Sequence, residues 1–432
     1  MTMRYTTILF DLDGTLTRSE RGITRSALYA CEKMGLTGHT AEEFKAFIGP
    51  PLLHSFMHLV GMSEADARQA MAHYRERFVR VGWKENEVYP GIPALLRSLK
   101  MNGARVAIAT SKPLDSAERI AKHFGMTPYL DAVIGPRPGD EKAEKADIIA
   151  RASAQLGGTV IMVGDRKFDA EGARANGVPC VGVTYGYGSE EELVQAGATY
   201  IAHSVSELSD ILLGDAPRSR GVFLSIEGMD GCGKTTQREA LVKHLQERGW
   251  EICVTREPGG DEIAEKIRDL LLDPANKAMC DETEAYLYAA GRAQNVRALI
   301  RPALQNGMAV VCDRFVDSSV AYQGGGRMLG AQRVAALNAL AVGGEWPDVT
   351  VYLRMEPQQA LSRRLSASEP DRLESERAEF FGRTFDTYEA TLPGQARTIV
   401  VNAAQPIEDV SREMLSALVA RLDALAPRPM DA

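Results

Sequence analysis

The chain has 432 residues, with 50 Lys and Arg against 58 Asp and Glu for a net charge of −8, and 45% of its residues are hydrophobic. At ~150 residues per domain, this length calls for two or three domains, and the surplus of acid excludes a general positive field for nucleic-acid backbones. No apolar run reaches the ~18–20 residues of a bilayer span. The short run Thr7–Phe10 leads to no expectation of a secretory leader, and six scattered cysteines without a CxxC pair point to a reducing cytosol.

In chain order, a buried strand is expected at Thr7–Phe10. Residues 17–88 then read as an inserted helical cap, with helices at Ile23–Met34 and Ala65–Val81 and no convincing strand. Strands follow at Arg105–Ala109, Thr159–Val163 and Val181–Val183, with helices at Ile92–Lys100 and Ser116–Phe124. The Gly- and Pro-broken stretch Gly214–Gly221 reads as a linker, placed at 215–220. Beyond it, strands are expected at Val222–Ile226, Ile252–Thr255, Ala309–Cys312, Thr350–Leu353 and Thr398–Val401. Strands alternating with helices predict parallel sheets. The expected architecture is two three-layer α/β/α domains, 1–214 and 221–432, the first with its cap.

In the first half, Phe10-Asp11-Leu12-Asp13-Gly14-Thr15 sets two carboxylates just beyond a strand, at the sheet edge where ligands of open α/β folds bind. Two acids on one turn call for a cation, and oxygen ligands suit Mg²⁺. One carboxylate can then attack phosphorus while its neighbour protonates the leaving oxygen. Thr110 ends a second strand with a hydroxyl for a phosphoryl oxygen, Lys145 supplies a cation (Lys142 lies three residues earlier), and Asp165 and Asp169 follow a third strand. The set resembles the haloacid-dehalogenase-like phosphatase superfamily across residues 1–214. That resemblance implies Asp11 as nucleophile, Asp13 as acid/base, Thr110 and Lys145 as phosphoryl holders, and Asp11, Asp13 and Asp165 around the metal, with Asp169 in support. Phe47-Ile-Gly-Pro-Pro-Leu52, Ser111-Lys112-Pro113 and Gly186-Tyr-Gly188 are similar to the phosphoglycolate phosphatase and 5′-nucleotidase branch. A nucleoside monophosphate is the expected substrate. Phosphoglycolate, or a regulatory module without turnover, is the alternative.

In the second half, Gly228-Met229-Asp230-Gly231-Cys232-Gly233-Lys234-Thr235-Thr236 matches GxxxxGK[ST] between an expected strand and an expected helix. Backbone N–H groups at the helix start would cradle the phosphates of ATP, Lys234 would reach their β and γ oxygens, and Thr235 would meet Mg²⁺. A guanine-reading switch is disfavoured, because Asn276-Lys277 lacks the aspartate that would read guanine. Thr255-Arg256-Glu257-Pro258-Gly-Gly260, Tyr288 to Gln294, Asp313-Arg314-Phe315, Asp317 to Arg327 and Asp371-Arg372-Leu373-Glu374 together resemble thymidylate kinase over residues ~221–425.

That second resemblance implies Tyr288 stacked on thymine, Arg292 bonded to the base, Arg314 on the dTMP phosphate and Asp313 near Mg²⁺. Tyr322 would crowd a ribose 2′-hydroxyl, and Asp230, Arg256, Glu257, Pro258, Ser319 and Gln323 would complete the pocket. The P-loop carries no arginine, so Arg363 or Arg364 of the lid stretch Leu361–Arg372 would serve the migrating phosphoryl group. Gly291 and Asp261 stand where an acidic residue and a threonine are usual. A homodimer through the kinase half is implied by the resemblance alone.

Overall fold

The computed structural model describes residues 3–50, 52–137, 144–365 and 378–429. Two compact units emerge, one built mainly from residues up to Ser219 and the other mainly from Arg220 onward.

The first unit contains β1 (Thr7–Phe10), β2 (Thr17–Arg18), β3 (Glu87–Val88), β4 (Arg105–Ala109), β5 (Ala132–Ile134), β6 (Val160–Gly164), β7 (Cys180–Val183) and β8 (Tyr200–Ala202). Six of these form a parallel sheet in the order β5-β4-β1-β6-β7-β8. Period-two alternation sends Ile8 and Phe10 into one core and Leu9 into another. Helices Ile92–Met101 and Val205–Leu213 cover the first core, and Lys145–Leu156 and Lys167–Ala175 cover the second. The sheet is therefore buried on both faces, as continuous apolar strands require.

The insertion carries helices Glu20–Lys33, Leu52–His58 and Glu64–Arg80 around its own core of Ile23, Phe44, Phe47, Phe56 and Phe78. It is not free of strand. β2 and β3 pair antiparallel, Thr17 opposite Val88 and Arg18 opposite Glu87, where the chain enters and leaves the cap. Sequence periodicity passed over this pair because two residues show no period. It passed over β5 and β8 for a related reason, since each is a three-residue strand at an edge of its sheet.

The second unit holds β9 (Val222–Glu227), β10 (Ile252–Arg256), β11 (Ala309–Asp313), β12 (Val349–Arg354) and β13 (Thr398–Asn402). They form a parallel sheet ordered β10-β11-β9-β12-β13. Val222, Leu224 and Ile226 face one core and Phe223 the other. In each unit the first strand is central, and later strands are added on both of its sides, which opens a crevice at its carboxyl end.

Candidate active sites

In the first unit, register brings the catalytic candidates to one rim. Phe10 sits opposite Ile108 and Val163, so Asp11, Thr110 and Asp165 follow neighbouring strand ends. The Asp11 N–H donates to the Val163 carbonyl at 2.8 Å. Lys145, the first residue of its helix, places Nζ 2.6 Å from Asp11 Oδ1 and 2.7 Å from Asp169 Oδ1. Asp165 accepts from the Thr15 hydroxyl at 3.3 Å and from the Tyr187 N–H at 2.8 Å. Thr110 is buried, and its hydroxyl accepts the Lys112 N–H at 3.2 Å.

Charge is crowded here. Burial pushes Asp11 up to about 6, with Lys145 opposing the rise and Asp169 and Asp13 adding to it. Burial, then Asp169 and Asp11, holds Asp165 well above the usual carboxylate range. Burial works against the Lys145 ammonium, but Asp11 and Asp169 outweigh it and keep the lysine protonated. One oxygen each of Asp11, Asp165 and Asp169 lies within 4.8 Å of the others. Three carboxylates served, among the described residues, by Lys145 alone fit a hard divalent cation.

This grouping differs from the expected ligand set in one place. Asp169 joins Asp11 and Asp165, whereas the Asp13 carboxylate turns away to Lys112, with Oδ2 2.8 Å from Nζ. The reason lies in that lysine, which the sequence placed near the site without a role. Its ammonium sits against Asp13 and 4.6 Å from the centre of the Phe78 ring on the cap. Lys142 lies outside the described residues.

In the second unit, β9 runs into the phosphate-loop motif and then into helix Lys234–Glu247. A Cβ at Gly228 would press on the Leu353 carbonyl at 2.7 Å, and Gly233 has φ 93°, so the loop needs glycine at both positions. Lys234 folds back onto this loop, donating to the carbonyls of Gly228 (3.2 Å) and Met229 (3.0 Å), with Asp230 Oδ1 3.4 Å away. Thr235 is exposed at the helix start.

Asp230 is the hub on the acceptor side. It accepts from Arg314 Nη2 at 2.6 Å and from the Tyr322 hydroxyl at 3.0 Å. Burial opposes its charge, yet Arg314 and Lys234 hold it well below the usual carboxylate range. Arg314 follows β11 with φ 71°, a left-handed backbone uncommon outside glycine. Its N–H bonds the Ile226 carbonyl at 2.9 Å, and its guanidinium also reaches Ser318 (3.0 Å) and Tyr322 (3.1 Å). Asp313 Oδ1 is buried with no hydrogen-bond partner among the described residues, and Oδ2 is 3.7 Å from Arg238. An orphaned carboxylate oxygen beside the P-loop strand fits a cation.

Beneath the loop, Glu227 accepts from the Phe315 N–H (2.7 Å), the Ser318 hydroxyl (2.5 Å) and the Tyr388 hydroxyl (3.1 Å). Burial, then Asp317, pushes Glu227 up to about 7. Sequence reasoning missed this support. Its signal was an acid ending the mostly apolar run Val222–Glu227.

Helix Asp281–Asn295 carries Glu284, Tyr288 and Arg292 at four-residue intervals, hence on one face. Tyr288 is half-buried against the main core. Arg292, expected to bond the base, is held by four internal acceptors. It is buried and donates to Glu257 (2.6 Å), Ser319 (3.1 Å), Asn338 and the Phe315 carbonyl (3.0 Å). Four of its five N–H groups are thus committed inside the protein. Glu257 also accepts from Asn295 at 3.2 Å. Arg256 is exposed and paired with Glu265 at 2.9 Å. The Pro258 carbonyl is taken by Arg268 at 2.7 Å.

Of the lid arginines, Arg363 donates to the Ala403 carbonyl at 3.2 Å, past the end of β13. The Arg364 side chain and Asp371-Arg372-Leu373-Glu374 lie outside the described residues.

Against this geometry, residues 226–414 match the thymidylate kinase family and residues 8–183 the haloacid dehalogenase-like hydrolase family. The chain is 48% identical over 195 residues to a thymidylate kinase of Lactobacillus delbrueckii subsp. bulgaricus, spanning 44% of this chain and 92% of that protein. It is 41% identical over 213 residues to a 5′-nucleotidase of Pseudomonas aeruginosa, spanning 49% of this chain and 96% of that protein. A solved structure of a predicted phosphatase from Clostridium acetobutylicum is similar at 44% identity and a TM-score of 0.46, covering 48% of this chain and 97% of that one.

Proposed function

Because this chain belongs to the thymidylate kinase family over residues 226–414 and to the haloacid dehalogenase-like hydrolases over residues 8–183, we propose that it carries two working active sites. One is an ATP-dependent kinase making dTDP from dTMP, and the other is a phosphatase acting on a nucleoside monophosphate. We place the domain boundary at 215–220 and the protein in the cytosol as a homodimer through the kinase half. No helix among the described residues is long and apolar enough to cross a membrane.

The observation that carries the phosphatase reading is the Lys145 ammonium bridging Asp11 and Asp169, beside Asp165. Asp11 attacks phosphorus and forms an aspartyl-phosphate, while Asp13 gives its proton to the departing 5′-oxygen. Asp13 then takes a proton from the water that opens the aspartyl-phosphate, releasing inorganic phosphate and restoring Asp11. Thr110 and Lys145 hold the phosphoryl oxygens. Asp11, Asp165 and Asp169 would hold Mg²⁺, whose charge offsets that of the phosphoryl group. The 5′-nucleotidase relative favours a nucleotide over phosphoglycolate.

The kinase reading rests on Arg314 and Asp230, which join the P-loop to the acceptor side. Arg314 anchors the dTMP phosphate so that its oxygen meets the γ-phosphorus of ATP in line. Lys234 leaves the loop carbonyls for the β and γ oxygens, and Arg363 or Arg364 covers the migrating group. Thr235 and Asp313 would hold Mg²⁺, which neutralises the charge on the ATP oxygens. Tyr322 guards the 2′ position, with Glu257 and Ser319 behind the base.

The test is phosphate release from a panel of monophosphates by the Lys234→Ala protein, with Asp11→Asn on the same background as blank. Hydrolysis of at least one nucleoside monophosphate should exceed that of phosphoglycolate by tenfold or more. The reverse ranking would transfer the site to phosphoglycolate.

A further inference from the structure

Tyr288 lies one helical turn from two buried charges, and each grips a polar residue of the segment Val316–Gly326. Arg292 Nη1 donates to Ser319 Oγ at 3.1 Å. One turn on the other side of the tyrosine, Glu284 Oε1 accepts from Gln323 Nε2 at 2.9 Å. Ser319 and Gln323 are themselves four residues apart. The result is a ladder with 292–319 as one rung, 284–323 as the other, and Tyr288 between them. Tyr322, next to Gln323, reaches Asp230 and Arg314, so the ladder continues from the phosphate end of the acceptor site.

The rungs fix which polar atoms stay unused. A carboxylate only accepts hydrogen bonds, so Glu284 determines the orientation of the Gln323 amide. The nitrogen faces Glu284, and the carbonyl oxygen is turned away from it. Glu284 is held in turn by Arg327, at 3.0 Å from Nη2 and 3.3 Å from Nε, and has no exposed surface. Gln323 Oε1 receives no hydrogen bond among the described residues. Ser319 shows the opposite polarity. Its oxygen takes the N–H of Arg292, and its own proton has no acceptor among the described residues.

The wall beside Tyr288 therefore offers one acceptor and one donor. A pyrimidine with a carbonyl at position 4 and an N–H at position 3 presents the complement. A 4-amino pyrimidine presents a donor at position 4, which the second lone pair of the Ser319 oxygen can accept, and an acceptor at position 3, which Gln323 Oε1 repels, so discrimination falls on the Gln323 contact. We propose that Glu284 is a specificity-determining positioning residue, which locks the Gln323 amide so that the kinase accepts 4-oxo and rejects 4-amino pyrimidine nucleotides. The inference rests on the thymidylate kinase reading of this site.

The experiment compares kcat/KM for dTMP and dCMP in the full-length protein. Glu284→Gln keeps the shape and lets the facing amides pair either way round, so dCMP can select the flipped Gln323. The dTMP-over-dCMP ratio should fall about tenfold or more, as expected when a fixed hydrogen-bonding partner is freed. The double variant Glu284→Gln with Gln323→Glu exchanges the two groups and again turns an acceptor toward the base, so the ratio should recover. A ratio within twofold of the original in Glu284→Gln, or no recovery in the double variant, overturns the proposal. A general loss of stability would lower both substrates together and leave the ratio unmoved. If the unaltered protein makes no dTDP from dTMP, the kinase reading itself fails, a result distinct from either of these.

Discussion

Lys145 and Lys234 are each proposed to meet a phosphoryl group, yet the protein holds them in opposite ways. Lys145 starts a helix packed on the sheet and is buried between two carboxylates, at 2.6 and 2.7 Å. Lys234 also starts a helix, but its ammonium folds back onto carbonyls of its own loop at 3.0 and 3.2 Å. The first centre draws its charges from the ends of β1 and β6 and from the first turns of two helices, and is assembled before any substrate arrives. The second must exchange internal hydrogen bonds for phosphate oxygens. A hydrolase that cleaves one bond with fixed groups can be rigid, whereas a kinase that brings two nucleotides together gains from groups that wait on internal partners.

The sharpest way to break this contrast is Lys145→Ala. It should lower phosphate release by about 10²–10³-fold, the loss typical of a preorganised charge donor, and leave dTDP formation within twofold. An equal fall in dTDP formation would show that the lysine supports the whole chain and not one site.

Next in size is Arg292→Ala. Removing it strands the buried Glu257 and Ser319, which should cost the second unit about 3–5 kcal/mol, the usual penalty for breaking a buried ion pair. Denaturant unfolding followed through the kinase domain measures this. A loss under about 1 kcal/mol would mean that the guanidinium is free for the base after all.

Magnesium should stabilise the first unit, because a cation relieves repulsion among Asp11, Asp165 and Asp169. At 100 times its dissociation constant the gain is about 2.7 kcal/mol, read as a rise in melting temperature. Asp165→Asn should erase most of that rise. A full rise in this variant would move the metal elsewhere.

The smallest effect expected is that of Arg363→Ala. With its side chain on the Ala403 carbonyl, turnover should fall by less than about fivefold, and Arg364→Ala should fall further. A larger loss at Arg363 would reverse the assignment.

Much of this architecture was legible because long buried strands and glycine-bounded motifs are local signals. Thr7–Phe10 and Val222–Glu227 announce the two central strands, and the acids and glycines after them announce the crevices. What escaped depends on distance along the chain. Lys112 meets Asp13 from 99 residues away, and Tyr388 supports Glu227 from 161 residues away. No spacing rule records such pairs. The internal partners of Arg292 were hidden for another reason. Helical spacing put the arginine on the face of Tyr288, but could not show that Glu257, Ser319, Asn338 and Phe315 already claim its donors.

The most direct test of two working sites in one chain is reciprocal. Phosphate release from a nucleoside monophosphate and dTDP formation from dTMP and ATP are measured side by side in Asp11→Asn and Lys234→Ala proteins. The first variant should lose only phosphate release and the second only dTDP formation. Loss of both activities in either variant would contradict two working sites in one chain.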